Sequence, residues 1–136
     1  MVMNMRMRES TFVGLSSEFQ VAEGAEFRLS GALSEWLFAT GFWRDFNAAH
    51  GTMFDQFEED EAGQDVVKEI AASIGERIGQ LRSGHEQPFE FVYRRLPDGS
   101  SITATVAPSD AIDELAKLHR FLLEASEKCA LVSVNL

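Results

Sequence analysis

Cysteine, positive charge and long apolar runs are all scarce in this chain of 136 residues. The single cysteine, Cys129, excludes an intrachain disulfide and is typical of proteins from a reducing compartment. Twelve lysine and arginine residues stand against 22 aspartate and glutamate residues, which gives a net charge of −10. Nucleic-acid backbones and anionic membranes both attract positively charged surfaces. The sequence therefore predicts neither a nucleic acid nor a membrane as a main partner.

No apolar run approaches the roughly 18 residues that a membrane-spanning helix needs. The apolar stretch at residues 36–39 is soon interrupted by Gly41, Arg44 and Asp45. Residues 1–8 include two arginines, but the apolar segment of a signal peptide does not follow them. We therefore expect a cytoplasmic protein.

What the chain does contain is the composition of a globular protein, with 45% hydrophobic and 25% charged residues. A chain of this length can bury roughly two-thirds of the surface that its unfolded form exposes. No repeat or linker divides it, so we predict a single domain over residues 1–136. Methionines alternate at the very start, and this pattern fits either a frayed end over residues 1–10 or an edge strand.

Period-two alternation predicts the strands. Short alternating runs surround Phe19 and Phe27, and a further apolar run at residues 12–15 adds a third candidate strand. Two longer alternating runs, at 89–94 and 102–106, flank a Pro-Asp-Gly turn at 97–99. Proline presets the backbone of such a turn and glycine supplies a positive φ, so this segment predicts a β-hairpin with a bulge.

Period-3.6 spacing predicts the helices. Ser30 or Ser34 can cap a first helix, which Gly41 weakens or bends and Gly51 ends. A second helix carries an apolar stripe made of Val67, Ile70, Ile74, Ile78 and Leu81. A third follows Pro108 with Ser109 as its cap, and its predicted buried stripe is Ala111, Leu115, Leu118, Leu122, Ala125 and Cys129. Residues 131–136 then form a last strand.

The predicted order of elements is β-β-α-α-β-β-α-β. It indicates an α+β fold with a mainly antiparallel sheet and three helices packed on one face. The third helix would make a right-handed crossover if the final strand pairs in parallel with the hairpin. An exposed final strand could also pair with a second copy of the chain.

Metal and catalytic signatures are weak. Residues 58–69 follow an EF-hand register in part, but Ala62 and Asp65 stand at positions where a ligand and an apolar residue belong. His50, His85 and His119 form no zinc-binding spacing. A composite site of His50 with Asp55 and Glu58 is conceivable from the sequence. We predict no catalytic residue, no metal site and no cofactor.

Small residues line one side of the second helix at Ala72, Gly75 and Gly79. Each glycine costs about 0.5–1 kcal/mol relative to alanine in a helix interior, so a neighbouring backbone is expected to lie close. That neighbour is either another helix of this chain or a second copy, and a homodimer is one expectation.

Aromatic residues and concentrated negative charge occur side by side in the middle of the chain. Eight acids and one base lie between Asp45 and Glu69. Aromatic anchors at the centre of an interface and charges at its rim are typical of protein docking surfaces. We therefore predict a non-catalytic binding module of the inhibitor, immunity or chaperone type that docks a basic protein. The predicted patch is Trp36, Phe38, Phe42, Trp43, Phe54, Asp55, Phe57, Glu58, Glu59, Asp60 and Glu61.

The principal alternative is a domain that binds or senses a small molecule. In that case the aromatic-rich helix would cover a pocket against the sheet, lined by Phe89, Phe91 and Tyr93. A third hypothesis is an enzyme with a composite site around His50, which requires a carboxylate within hydrogen-bonding distance of the imidazole. The structure separates these hypotheses by where the rings and the acids lie.

Overall fold

The computed structural model describes residues 16–22, 24–56, 58–84 and 89–136, with the backbone alone at 89, 91–95, 102 and 104. Predictions for residues 1–10, residues 12–15, Phe57 and His85 lie outside these ranges. The elements in chain order are β1 Ser17–Val21, β2 Glu26–Leu29, α1 Gly31–Ala39, α2 Phe42–His50, β3 Glu59–Ala62, α3 Gln64–Gly84, β4 Phe89–Arg95, β5 Ser101–Val106, α4 Pro108–Glu127 and β6 Val132–Asn135. The predicted α+β class is confirmed, with four helices in the described ranges rather than three.

The extra helix arises at Gly41, where the predicted first helix divides into α1 and α2. Gly41 has a φ of +79°, in the left-handed region that interrupts a helix and that a residue with a Cβ rarely adopts. Ser30 caps α1 as predicted, since its Oγ accepts a hydrogen bond from the Leu33 N–H at 3.3 Å.

The predicted cap of the last helix is wrong. Ala107 is the N-cap of α4, and Pro108 occupies the first turn, where its missing N–H costs nothing.

The main sheet has four strands in the order β2-β1-β6-β3, and every neighbouring pair is antiparallel. The final strand β6 therefore lies in the interior of the sheet. This overturns two expectations, a parallel crossover into β6 and a free edge along it. The strand β3 was not predicted, because its acidic residues have low β-propensity.

The predicted hairpin is present as a separate two-stranded sheet, β4-β5. Gly99 has a φ of +91° in the turn, and the Leu96 N–H donates to the Ser100 carbonyl at 2.8 Å. The Asp98 carboxylate accepts from the Oγ of Ser100 at 2.6 Å and from its N–H at 2.9 Å. A register irregularity between Val92 and Arg94 places the bulge within β4 rather than at the turn.

Strict alternation gives the main sheet two different faces. The inner face is apolar and fully buried at Phe19, Val132 and Val134, and it belongs to the same core as the helices. Ser34 of α1 joins helix and sheet, since its Oγ accepts from the Ser17 N–H at 2.9 Å and donates to the Leu29 carbonyl at 3.3 Å. The outer face is polar, as the alternation of an antiparallel sheet with one solvated side requires.

The two long helices pack mainly on each other. The predicted stripes of α3 and α4 are buried, from Val67 to Leu81 and from Ala111 to Ala125. A Cβ at Gly75 would lie 3.3 Å from Nε2 of His119 on α4, so this glycine permits a close approach within one chain. Gly79 has nothing within 4 Å in the described structure, and its side of the helix stays exposed.

The prediction that Cys129 completes the buried stripe of α4 is wrong, because α4 ends before this position and Cys129 is exposed. Cys129 has a φ of +54° and lies one residue beyond the C-cap. Its N–H donates to the Ser126 carbonyl, and the Ala130 N–H donates to the Ala125 carbonyl, both at 3.1 Å. These two bonds form a Schellman motif, in which a left-handed residue ends the helix.

Candidate docking face on the four-stranded sheet

The rings of the predicted patch lie mainly in the core. Trp36, Phe42, Trp43 and Phe54 are each 6% exposed or less. Phe38 is half-buried and packs against the same core. The expectation that these rings face solvent is therefore wrong for the first four, which supply hydrophobic packing instead.

The core position of these rings follows from their mutual packing. Trp43 meets Phe42 edge to face at a centroid distance of 5.0 Å and lies 5.5 Å from the Phe54 ring. Asn47 holds the loop that delivers Phe54, because its Oδ1 accepts from the Phe54 N–H at 3.0 Å and its Nδ2 donates to the Phe54 carbonyl at 2.8 Å. Edge-to-face pairs add to the free energy of burial, so this cluster favours the interior.

The acidic members of the predicted patch behave differently, and all five are solvent-exposed. They are Asp55, Glu58, Glu59, Asp60 and Glu61. Three of them belong to β3, which forms one border of the main sheet as the structure describes it. The carboxylates of the prediction therefore lie at the surface while most of its rings do not.

The strand register brings two of these acids together with residues from three other strands. Cross-strand pairing aligns Arg28, Glu18, Asn135 and Glu59 in one row across the outer face. It aligns Glu26, Gln20, Ser133 and Glu61 in a second row. We call these eight residues the outer face; it carries four carboxylates and one guanidinium.

Two of the four carboxylates on the outer face make an ion pair or a side-chain hydrogen bond with a described residue, and the other two do not. Arg28 Nη2 lies 2.8 Å from Glu18 Oε2, and the Ser133 Oγ donates to Glu59 Oε2 at 2.8 Å. Within the described ranges, no ion pair or side-chain hydrogen bond engages the carboxylates of Glu26 and Glu61. Since the one guanidinium is already paired, the outer face presents net negative charge to solvent.

The border of β3 that faces away from β6 has no neighbouring strand among the described residues, and its own side chains block it. The Leu136 N–H donates to the Glu58 carbonyl at 3.1 Å, and the alternation of an antiparallel ladder then turns the backbone groups of Glu59 and Glu61 away from β6. Asp60 Oδ1 accepts from the outward Glu61 N–H at 3.0 Å. Charged side chains and an occupied N–H oppose the addition of another strand at this border.

A concave region lies between α2 and α3 and has a volume of about 300 Å³. Arg77 stands in its wall, 5.4 Å from the Trp36 ring centroid and 5.3 Å from the Phe42 centroid. Its Nη1 donates to the Thr40 Oγ1 at 2.8 Å. Burial lowers the pKa of the Arg77 guanidinium, and the nearby Asp45 carboxylate opposes this shift. Thr40 is the C-cap of α1, so the cation also compensates the negative end of that helix.

The residues of the enzyme hypothesis do not form a composite site. His50 Nδ1 lies 3.9 Å from Glu69 Oε2, beyond hydrogen-bonding distance. Among the described residues no ion pair joins His50 to Asp55 or Glu58, and no group of three or more His, Cys, Asp or Glu side chains could hold a metal. Glu59 and Asp60 form a strand, which excludes an EF-hand loop at 58–69.

The predicted wall of the small-molecule pocket belongs to β4. The side chains of Phe89, Phe91 and Tyr93 lie outside the described part of the structure. Sequence reasoning also missed Glu18, Gln20, Glu26 and Ser133 of the outer face. The alternation within β1, β2 and β6 was the available signal for them, but it could not show that these strands share one sheet.

Over the described ranges, no helix combines the length and apolarity that crossing a membrane requires. Comparison of the chain with protein-family models, with curated proteins and with solved structures found no match.

Proposed function

We propose that this protein is a non-catalytic binding module that docks a basic protein surface through the outer face of its four-stranded sheet. The observation that carries the proposal is the negative charge of the outer face, on which none of the described helices packs. Its four carboxylates come from three strands, and its one arginine is already paired with Glu18. No described helix packs on this side, because the helices share the core with the opposite face.

Charge complementarity gives this face a specific kind of partner. A negative patch attracts a positive one over several ångströms, which accelerates encounter and disfavours acidic competitors. Strands held in a hydrogen-bonded sheet also keep the Cα atoms of these residues at fixed spacings, so only the side chains are left to be ordered on binding. Because the β3 border resists strand addition, we place the contact on side chains rather than on the backbone.

Most of the aromatic anchors that the sequence predicted are buried, so the proposed interface does not use them. Leu131 is an exposed apolar side chain beside these acids, 52% exposed next to β6. It can supply apolar contact within a mainly polar interface. The proposal therefore retains the basic partner and moves the surface from the rings to the sheet.

The test compares two variants with equal loss of charge. The face variant carries Glu26→Gln, Glu59→Gln and Glu61→Gln, which preserve side-chain shape. The control variant carries Glu76→Gln, Glu124→Gln and Glu127→Gln on exposed positions of α3 and α4. Each chain is used to capture partners from cell extract, and the captured protein is purified and titrated by calorimetry at several salt concentrations.

The expected result is a basic partner that binds the wild-type chain and the control variant alike. The face variant should bind it about three- to a hundredfold more weakly, since three carboxylates of about 0.2–1 kcal/mol each are lost. Affinity for the wild-type chain should fall as salt rises. Equal loss of affinity in both triple variants, or affinity that is indifferent to salt, would contradict the proposal.

A further inference from the structure

The second row of the outer face ends in a concavity of about 320 Å³. Gln20, Ser133 and Glu61 are cross-strand neighbours in this row. Leu131 continues the outer face of β6 by one alternation beyond Ser133, and the end of β1 completes the wall at Val21 and Ala22. The concavity thus has the exposed apolar side chain of Leu131 beside the carboxylate of Glu61.

We infer that this concavity is a seat for an arginine side chain of the basic partner, and this inference rests on the proposed function. The apolar stem of an arginine can lie on Leu131 while its charged head stays at the wet rim. The head would meet Glu61, whose carboxylate has no ion-pair partner among the described side chains. Glu61 adjoins Ser133 in the register, so a hydroxyl acceptor stands beside the carboxylate.

The donor geometry selects arginine over lysine. A guanidinium presents five N–H donors in a plane and can bind a carboxylate through two parallel hydrogen bonds. The Gln20 side-chain carbonyl, the Ser133 hydroxyl and the Glu61 carboxylate offer acceptors on three adjacent strands. A lysine ammonium is a compact point charge that is more strongly hydrated and gains less from such a spread of acceptors.

The experiment uses the full chain and three synthetic hexapeptides. One peptide alternates serine with arginine, the second has lysine in place of arginine, and the third has citrulline, which keeps the shape and removes the charge. Binding is followed by amide chemical shifts of the isotope-labelled chain in NaCl from about 0.05 M to about 0.5 M, across which charge screening rises steeply.

Two variants test the seat and two serve as matched controls. Glu61→Gln should weaken the arginine peptide about two- to fivefold, the range of one exposed charge pair. Leu131→Ser should weaken it about twofold or more, because the stem loses apolar contact. Glu76→Gln and Leu123→Ser remove an exposed acid and an exposed leucine elsewhere and should leave affinity unchanged. Circular dichroism checks that each variant is folded.

The expected outcome is that shifts centre on Gln20, Glu61, Leu131 and Ser133 and that arginine binds more tightly than lysine and citrulline. Two further variants, Glu26→Gln and Glu59→Gln, separate the seat from the rest of the outer face. If they weaken binding of the arginine peptide while Leu131→Ser does not, the inferred seat is wrong and the proposed docking face is retained. Equal affinity for the arginine and lysine peptides overturns the arginine preference. If none of the peptides binds, or citrulline binds as well as arginine, both the seat and the proposed function are overturned.

Discussion

Residues 36–54 and residues 55–61 adjoin in the chain and end in opposite environments. The first segment places Trp36, Trp43 and Phe54 in the core, and the second places its acids in water. Their proximity in sequence indicated a single mixed patch. The difference teaches that the two segments have separate tasks: the ring segment stabilises the fold, and the acidic segment supplies charge to a surface assembled with distant strands.

The largest expected effect is in the ring segment. Trp43→Ala should lower the free energy of unfolding by about 3–5 kcal/mol, because the Trp43 side chain is 1% exposed and its removal leaves a cavity in the core. Urea unfolding followed by circular dichroism measures this change. Trp43→Phe keeps a ring and should cost less; equal losses in both variants would show that ring packing is not the cause.

A smaller effect is expected at Arg77, where the ring segment meets α3. Arg77→Ala removes the contacts with the Trp36 and Phe42 rings and the hydrogen bond to Thr40, and should lower stability by about 1–3 kcal/mol. Arg82→Ala, at an exposed position of the same helix, should change it by less than about 0.5 kcal/mol. Similar losses of stability in both variants would show that the contacts of Arg77 do not stabilise the ring segment.

Cys129 tests whether a surface position can affect stability without a side-chain contact. Cys129→Gly should raise the free energy of unfolding by about 1 kcal/mol, because glycine adopts the left-handed φ without the penalty of a Cβ. Cys129→Ala removes the thiol and keeps the Cβ, so no such gain is expected. A gain in the alanine variant would assign the effect to the thiol instead.

The smallest change in stability is expected in the acidic segment. The face variant Glu26→Gln, Glu59→Gln, Glu61→Gln should unfold within about 0.5 kcal/mol of the wild-type chain, because these side chains are exposed and make few contacts. The same unfolding measurement serves for all variants. A fall of several kcal/mol in the free energy of unfolding would show that the acidic segment also stabilises the fold.

Sequence patterns predicted the elements that are specified locally. The stripe from Val67 to Ile78 and the turn at Gly99 each follow from the spacing of neighbouring residues, and both are present. Predictions failed where a tertiary contact outweighs local preference. The acidic strand β3 exists because β6 provides it with a hydrogen-bonding partner, and its composition alone favours a loop.

The candidate surface was predictable only in part. The exposure of Asp55 and Glu58 to Glu61 follows from the cost of burying unpaired charge, which any fold must avoid. The burial of Phe42 could not be predicted from spacing, because a helix with rings on several sides can be buried or can present them. The Asn47 hydrogen bonds that carry Phe54 inward involve a loop whose path is not visible in the sequence.

The sequence by itself determined the negative charge of the chain, the two long amphipathic helices, the hairpin and the two-faced character of the strands. Each of these is a property of neighbouring residues and needs no distant partner. The tertiary structure alone decided that β6 lies inside the sheet and that Gln20, Ser133 and Glu61 stand in one row. The reason is that alternation specifies which side chains share a side of one strand, whereas cross-strand neighbours are chosen by the packing of the whole chain.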